Sequence, residues 1–230
     1  MRLLAFLLFL PFAAFAAPTE SKESLEWKEG EKLAYLQYLP EGYADTKDPQ
    51  PLVIFLHGSG ERGSDLEKIK KHGPPKIAMN NHGLPFILAA PQCPDTRWWN
   101  PDEVIALTKH LIKTLRVDPK RVHLTGISMG GFGTWACLAK EPKLYASGVP
   151  ICGGGDPAAA KDLKDIPIWA FHGEKDQAVP VAKTREMEDA ILKAGSKKFR
   201  STYYPEEGHE SWNPAYAAPS LLAWMMLQSR

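Results

Sequence analysis

The segment 51–57 (PLVIFLH) runs apolar without alternation and is stopped by Gly58. A strand that alternates can leave one face in water, whereas a continuous apolar run has to be covered on both faces. Similar short runs recur at 33–39, 86–90, 122–125, 146–151, 168–172 and 199–204. Helical patterns fill the gaps between them. Asn100-Pro101-Asp102-Glu103 combines an N-cap, a proline at the first helical position and a glutamate three residues after the cap. Val104, Leu107, Leu111, Ile112 and Leu115 then follow at helical spacing. Further helices are predicted over 129–140, over 180–194 with Gly195 as its stop, and over 215–228. Strands alternating with helices imply one α/β domain with a mostly parallel central sheet and helices on both faces.

The first residues belong to another purpose. Arg2 precedes an apolar run from Leu3 to Ala17 that closes on Ala14-Phe15-Ala16, the three parts of a secretory signal peptide. The expectation is therefore a signal over residues 1–16, a single catalytic domain over 17–230, and a periplasmic or secreted protein. The run is short of the roughly 20 apolar residues that span a bilayer, so no stable membrane insertion is expected after cleavage. Lys+Arg 28 against Asp+Glu 27 leaves no basic excess, so nucleic acid is not an expected partner. Three cysteines (Cys93, Cys137 and Cys152) are too few for a disulfide framework and read as small buried hydrophobes.

Gly126-Ile127-Ser128-Met129-Gly130 is a G-x-S-x-G pentapeptide placed between a predicted strand and a predicted helix. That setting holds a serine hydroxyl out above the sheet edge on a sharp turn. A serine hydroxyl is a weak nucleophile, so a base and an orienting acid are expected downstream, in the chain order Ser, acid, His. Asp176, after the 168–172 strand, is the candidate acid, with Glu174 the weaker choice; His209, after the 199–204 strand, is the candidate base. The oxyanion that develops needs two N–H donors. One is expected from Met129, the other from the loop after the 51–57 strand, with Ser59 preferred to Gly60. His57 and His172, each at a strand end before a glycine, read as packing or loop-shaping residues. No H-E-x-x-H or C-x-x-C is present, so a metal site has no support in the sequence.

The segments Leu39-Pro40-Glu41-Gly42-Tyr43, Leu56-His57-Gly58-Ser59-Gly60-Glu61-Arg62-Gly63, Ala90-Pro91-Gln92-Cys93-Pro94, Trp98-Trp99-Asn100-Pro101, Gly126–Gly131, His172-Gly173-x-x-Asp176 and Gly208-His209-x-x-Trp212 carry a resemblance. Together they are similar to the α/β-hydrolase superfamily, and within it to secreted dienelactone-hydrolase-like and phospholipase/carboxylesterase-type esterases, relatives of prolyl-oligopeptidase catalytic domains. The resemblance covers about residues 33–228. It implies the α/β-hydrolase fold, acyl transfer to water through Ser128, His209 and Asp176, and no cofactor. Trp98, Trp99 and Trp212 fall near the expected rim, where aromatics could stack on a sugar or an aromatic acyl group; packing against the sheet is the competing role. The implied substrate is a small-molecule or carbohydrate-linked ester. Two alternatives stand beside it: a serine peptidase or amidase, and a non-catalytic carbohydrate-binding protein on the same scaffold.

Overall fold

The computed structural model describes residues 19–80 and 84–230. The predicted signal segment 1–16 lies outside the described residues. Eight strands form one sheet: β1 (Thr19–Lys28), β2 (Glu31–Leu39), β3 (Gln50–Leu56), β4 (Ile87–Pro91), β5 (Val117–Ile127), β6 (Ser147–Ile151), β7 (Ile168–Gly173) and β8 (Phe199–Tyr204). Their order is β1-β2-β4-β3-β5-β6-β7-β8. The β1/β2 and β2/β4 pairs are antiparallel, and every pair from β4/β3 onward is parallel. The mostly parallel α/β sheet expected from the sequence is therefore observed.

The helices are α1 (Gly73–Asn80), α2 (Pro101–Thr114), α3 (Met129–Lys140), α4 (Ala160–Leu163), α5 (Ala182–Lys193), α6 (Trp212–Ala217) and α7 (Pro219–Met226). Along β3, Leu52, Ile54 and Leu56 point into one core, and Val53 and Phe55 into the other. The first core is closed by α2, α3, α4 and α5, through Leu107, Leu138, Leu163 and Met187 among others. The second is closed by α6 and α7, through Ala215, Tyr216, Leu221 and Met225, with Ile77 of α1 packed against it. Complete burial of each such Leu, Ile or Val contributes about 1.5–3 kcal/mol, which is why the central strands tolerate no polar alternation. The start of α2 follows its sequence signal: Asn100 Oδ1 accepts from the Asp102 amide at 2.9 Å, and Glu103 Oε1 accepts from the Asn100 amide at 3.3 Å.

Three elements differ from expectation. β1 carries no pattern because it is an edge strand, largely exposed, joined to β2 through Gly30 at φ 73°. The segment 66–80 forms a 3₁₀ turn, Leu66–Lys71, and then α1, despite its charge and two adjacent prolines. The single closing helix predicted over 215–228 is two helices. Pro219 has no N–H to continue α6 and biases Ala218 toward extended backbone, observed at ψ 114°.

Candidate active site

β5 ends at Ile127 and α3 begins at Met129, so Ser128 alone makes the turn, at φ 52° and ψ −117°. This is a left-handed conformation that a residue with a Cβ adopts only when its surroundings impose it. Here they do: the Ser128 amide donates to Ile151 O at 2.9 Å, and the Phe132 amide donates to Ser128 O at 3.1 Å. The neighbouring glycines let the helix close onto the sheet. A Cβ on Gly130 would stand 2.0 Å from Leu56 O, and one on Gly126 would stand 2.3 Å from Gly130 O.

Asp176 and His209 arrive from the loops after β7 and β8. Ser128 Oγ lies 2.8 Å from His209 Nε2, and His209 Nδ1 lies 2.7 Å from Asp176 Oδ2. Asp176 cannot donate as a carboxylate, so Nδ1 carries the proton, and Nε2 is free to accept from the serine. Asp176 Oδ1 accepts from the amides of Ala178 at 2.9 Å and Val179 at 2.8 Å. Burial alone would raise the Asp176 pKa. The hydrogen bonds from His209 and the two amides outweigh it and hold the carboxyl below its ordinary value. The three residues that the sequence placed in order along the chain are thus brought together in one hydrogen-bonded series.

His172 also reaches this carboxylate: its Nε2 is 3.2 Å from Asp176 Oδ2 and 2.9 Å from Val179 O. His57 shapes the other side. Its Nδ1 donates to Gly58 O at 2.6 Å, and its Nε2 accepts from the Cys93 amide at 3.0 Å. Burial lowers its pKa to about 4, so it serves as a neutral strut. Both histidines are the loop-shaping residues expected from their positions. Arg62 adds a staple, donating to Ser59 O at 3.1 Å and to Asp95 O at 3.1 Å. Ser59 and Gly60 thereby border the cavity of about 200 Å³ that Ser128 and His209 also line. Met129 opens α3, where first-turn amides have no intrahelical acceptor and the helix dipole is positive.

The three tryptophans separate. Trp98 is 58% exposed and meets the Phe132 ring edge-on at 5.7 Å. With Met129 and Gly154 these two rings border a second cavity, of about 320 Å³. Trp99 is buried and donates its indole N–H to His57 O at 3.1 Å, so its polar handle holds the loop and is not offered to a ligand. Trp212 is buried, with its ring edge-on to His209 at 5.3 Å, and forms part of the wall of the Ser128 cavity.

Cys152, Asp176 and His209 place donor atoms within 4.8 Å of one another. His209 and Asp176 are engaged with each other, and burial pushes the Cys152 thiol up so that it stays protonated. That donor set does not make a metal centre. All three cysteines are buried and unpaired. Glu61, His72 and Phe132 carry no functional signal in the sequence, although Glu61 stands inside the 57–63 loop.

A serine on a strand-to-helix elbow after β5, with an acid after β7 and a base after β8 of a mostly parallel sheet, is the arrangement of one fold. The chain has the α/β-hydrolase fold and is similar to esterases of the dienelactone-hydrolase type. Residues 95–170 match the profile described as the Prolyl oligopeptidase family. A carboxymethylenebutenolidase homologue of Methylorubrum extorquens is 34% identical over 142 residues, covering 55% of this chain and 47% of the relative. The bifunctional acetylxylan esterase/xylanase XynS20E of Neocallimastix patriciarum is 31% identical over 154 residues, 62% of this chain and 21% of its own length. Among solved structures, one titled as a thermostable esterase superposes with a TM-score of 0.78 and 32% identity, covering 93% of this chain and 64% of that one. This α/β-hydrolase chain spans about half or less of the length of these curated relatives.

Proposed function

We propose that the chain hydrolyses carboxylic esters through an acyl-enzyme on Ser128. The observation that carries this reading is the unbroken series Ser128 Oγ–His209 Nε2 at 2.8 Å and His209 Nδ1–Asp176 Oδ2 at 2.7 Å. As Oγ attacks the ester carbonyl, its proton passes to His209, and the Asp176 carboxylate stabilises the imidazolium and keeps its tautomer. Amides of Met129 and of the Ser59 loop receive the oxyanion. The imidazolium then gives its proton to the departing alkoxide. Water, deprotonated by the same His209, attacks the acyl carbon and returns the serine hydroxyl with release of the acid. The esterases among its relatives support an ester in preference to an amide.

Ser128→Ala is expected to lower p-nitrophenyl acetate turnover by about 10⁴-fold or more, with the fold retained. Residual turnover near the parent value would sink the proposal, as would failure of a fluorophosphonate probe to label Ser128. The prolyl oligopeptidase match favours a second reading, cleavage of peptide or amide bonds. A panel of chromogenic peptides beside short-chain esters decides between them by the ratio of kcat/KM values.

We also propose export directed by residues 1–16, supported by their charge and apolar pattern. Among the described residues no helix is long and apolar enough to cross a membrane. N-terminal sequencing of the exported protein is expected to begin at Ala17.

A further inference from the structure

Glu61 is the one charged side chain on the wall of the Ser128 cavity that the reaction above leaves without a task while it is almost wholly buried. Its side chain is 8% exposed and lines the cavity, where among the described residues its carboxylate has only His72 Nε2 beside it, at 3.7 Å, and accepts no hydrogen bond. Its position is fixed through its backbone, since Gln92 Nε2 donates to Glu61 O at 2.9 Å. Gly58 has no side chain between Glu61 and the nucleophile. A Cβ there would stand 3.3 Å from Glu61 Oε2 and 3.7 Å from Ser128 Cβ. A carboxylate on the wall of the cavity where an oxyanion develops opposes it. Its presence is accounted for if the substrate brings the missing donors.

The second wall identifies which donors. His72 Nε2 faces Glu61 Oε1 at 3.7 Å, too long for a direct hydrogen bond and short enough for one atom to touch both. With its proton on Nε2, His72 donates to a hydroxyl placed there while that hydroxyl donates to the carboxylate; an ammonium can do only the second. Oε2, on the Gly58 side, is open for a neighbouring hydroxyl. Trp212, edge-on to His72 at 5.3 Å and to His209 at 5.3 Å, supplies an apolar wall between them. His209 must protonate the departing oxygen, so the cavity shared by His209, Trp212 and Glu61 takes the alcohol part of the ester. We infer that Glu61 and His72 form a subsite for a vicinal diol on the alcohol side of the substrate, as in an acylated sugar. This inference rests on the esterase reading above and names the alcohol it prefers.

The test compares Glu61→Gln with the parent protein on methyl 2-O-acetyl-β-xylopyranoside, whose free 3- and 4-hydroxyls are vicinal, p-nitrophenyl acetate and acetylcholine. The expected result is a fall of about tenfold or more in the ratio of kcat/KM for the sugar ester over the aryl ester, carried mainly by KM. An unmoved ratio overturns the subsite, and so does a fall confined to the acetylcholine ratio, which would make it a cation site. A second measurement needs no variant. The acetyl-enzyme of the parent protein, formed from p-nitrophenyl acetate, is offered methyl β-xylopyranoside or cyclohexanol at equal concentration. His209 takes the acceptor's proton, the new ester forms and Ser128 regains its hydroxyl. Transfer to the sugar should exceed transfer to cyclohexanol by about tenfold, and equal transfer overturns the proposal. Loss of Ser128-dependent aryl ester turnover would instead refute the esterase reading itself, so the two failures are distinguishable.

Discussion

The carboxyl edge of the sheet is built in two ways. At its centre, where β3, β5 and β6 end, backbone packs directly on backbone: Gly130 against Leu56 O, and Gly131 with 2.5 Å between its absent Cβ and Ile151 O. At its outer side, beyond β7 and β8, polar side chains carry the geometry, with Asp176 accepting from His209 and two amides and His172 holding Val179 O beside it. Gly173, whose Cβ would meet Gly208 O at 2.2 Å, is where the outer side borrows the central method. The nucleophile is thus aimed by a backbone that has no alternative, and the proton relay by hydrogen bonds that can be removed one at a time. Damage at the centre should be structural, and damage at the outer side chemical.

The largest effect expected is from Gly130→Ala, because Leu56 O belongs to the buried β3 backbone and cannot retreat. Soluble, cooperatively unfolding protein should be lost or strongly reduced, and a variant with parent-like melting would refute backbone packing as the constraint. Asp176→Asn should do the reverse, keeping the fold while kcat falls by about 10⁴-fold, since the amide favours the wrong His209 tautomer. Parent-like kcat in that variant would remove Asp176 from the relay.

A pH effect belongs to the centre as well. His57, and His123 in the middle of β5, are buried and both have pKa values lowered by that burial to about 4, against the ordinary 6.5. The unfolded chain therefore binds these protons first. Stability is complete above about pH 6.5 and declines as pH falls from there toward 4, by up to roughly 3 kcal/mol for each histidine. Denaturant unfolding of His123→Gln across that range should show a shallower slope than the parent, and an identical slope would exclude His123 as a source.

Smaller effects sharpen the outer side. His172→Asn removes the Nε2 bond to Val179 O that steadies the loop holding Asp176, and a lost hydrogen bond of about 1–1.5 kcal/mol predicts roughly a tenfold lower kcat. If only thermal stability moved, His172 would be a packing residue. Trp98→Ala should raise KM about fivefold for aromatic acyl esters relative to acetyl esters, the scale of one aromatic contact. An equal change for both would deny the Trp98–Phe132 shelf a part in acyl selection.

The alternation of continuous apolar runs with helical patterns was sufficient for the sheet because burial on both faces leaves no other placement for such runs. The α2 cap was legible for a similar reason, as its partners are three residues apart. The order Ser128, Asp176, His209 was legible because each follows its own strand and a parallel sheet brings those strand ends to one edge. β1 was not, because an exposed edge strand is held by its neighbour's backbone and needs no apolar code. The tryptophans shared one label in the sequence, and three-dimensional packing gave them separate tasks: Trp98 outward, Trp99 onto His57, Trp212 against His209.

What the chain's own order of residues determined is the scaffold and the identity of the reactive groups, since local periodicity and strand-end position carry that information. What the tertiary structure alone decided is the environment around those groups. Glu61 and His72 are separated by a turn and belong to no periodic pattern. They stand side by side on the wall of the Ser128 cavity only because β3, α6 and the 3₁₀ turn before α1 converge there.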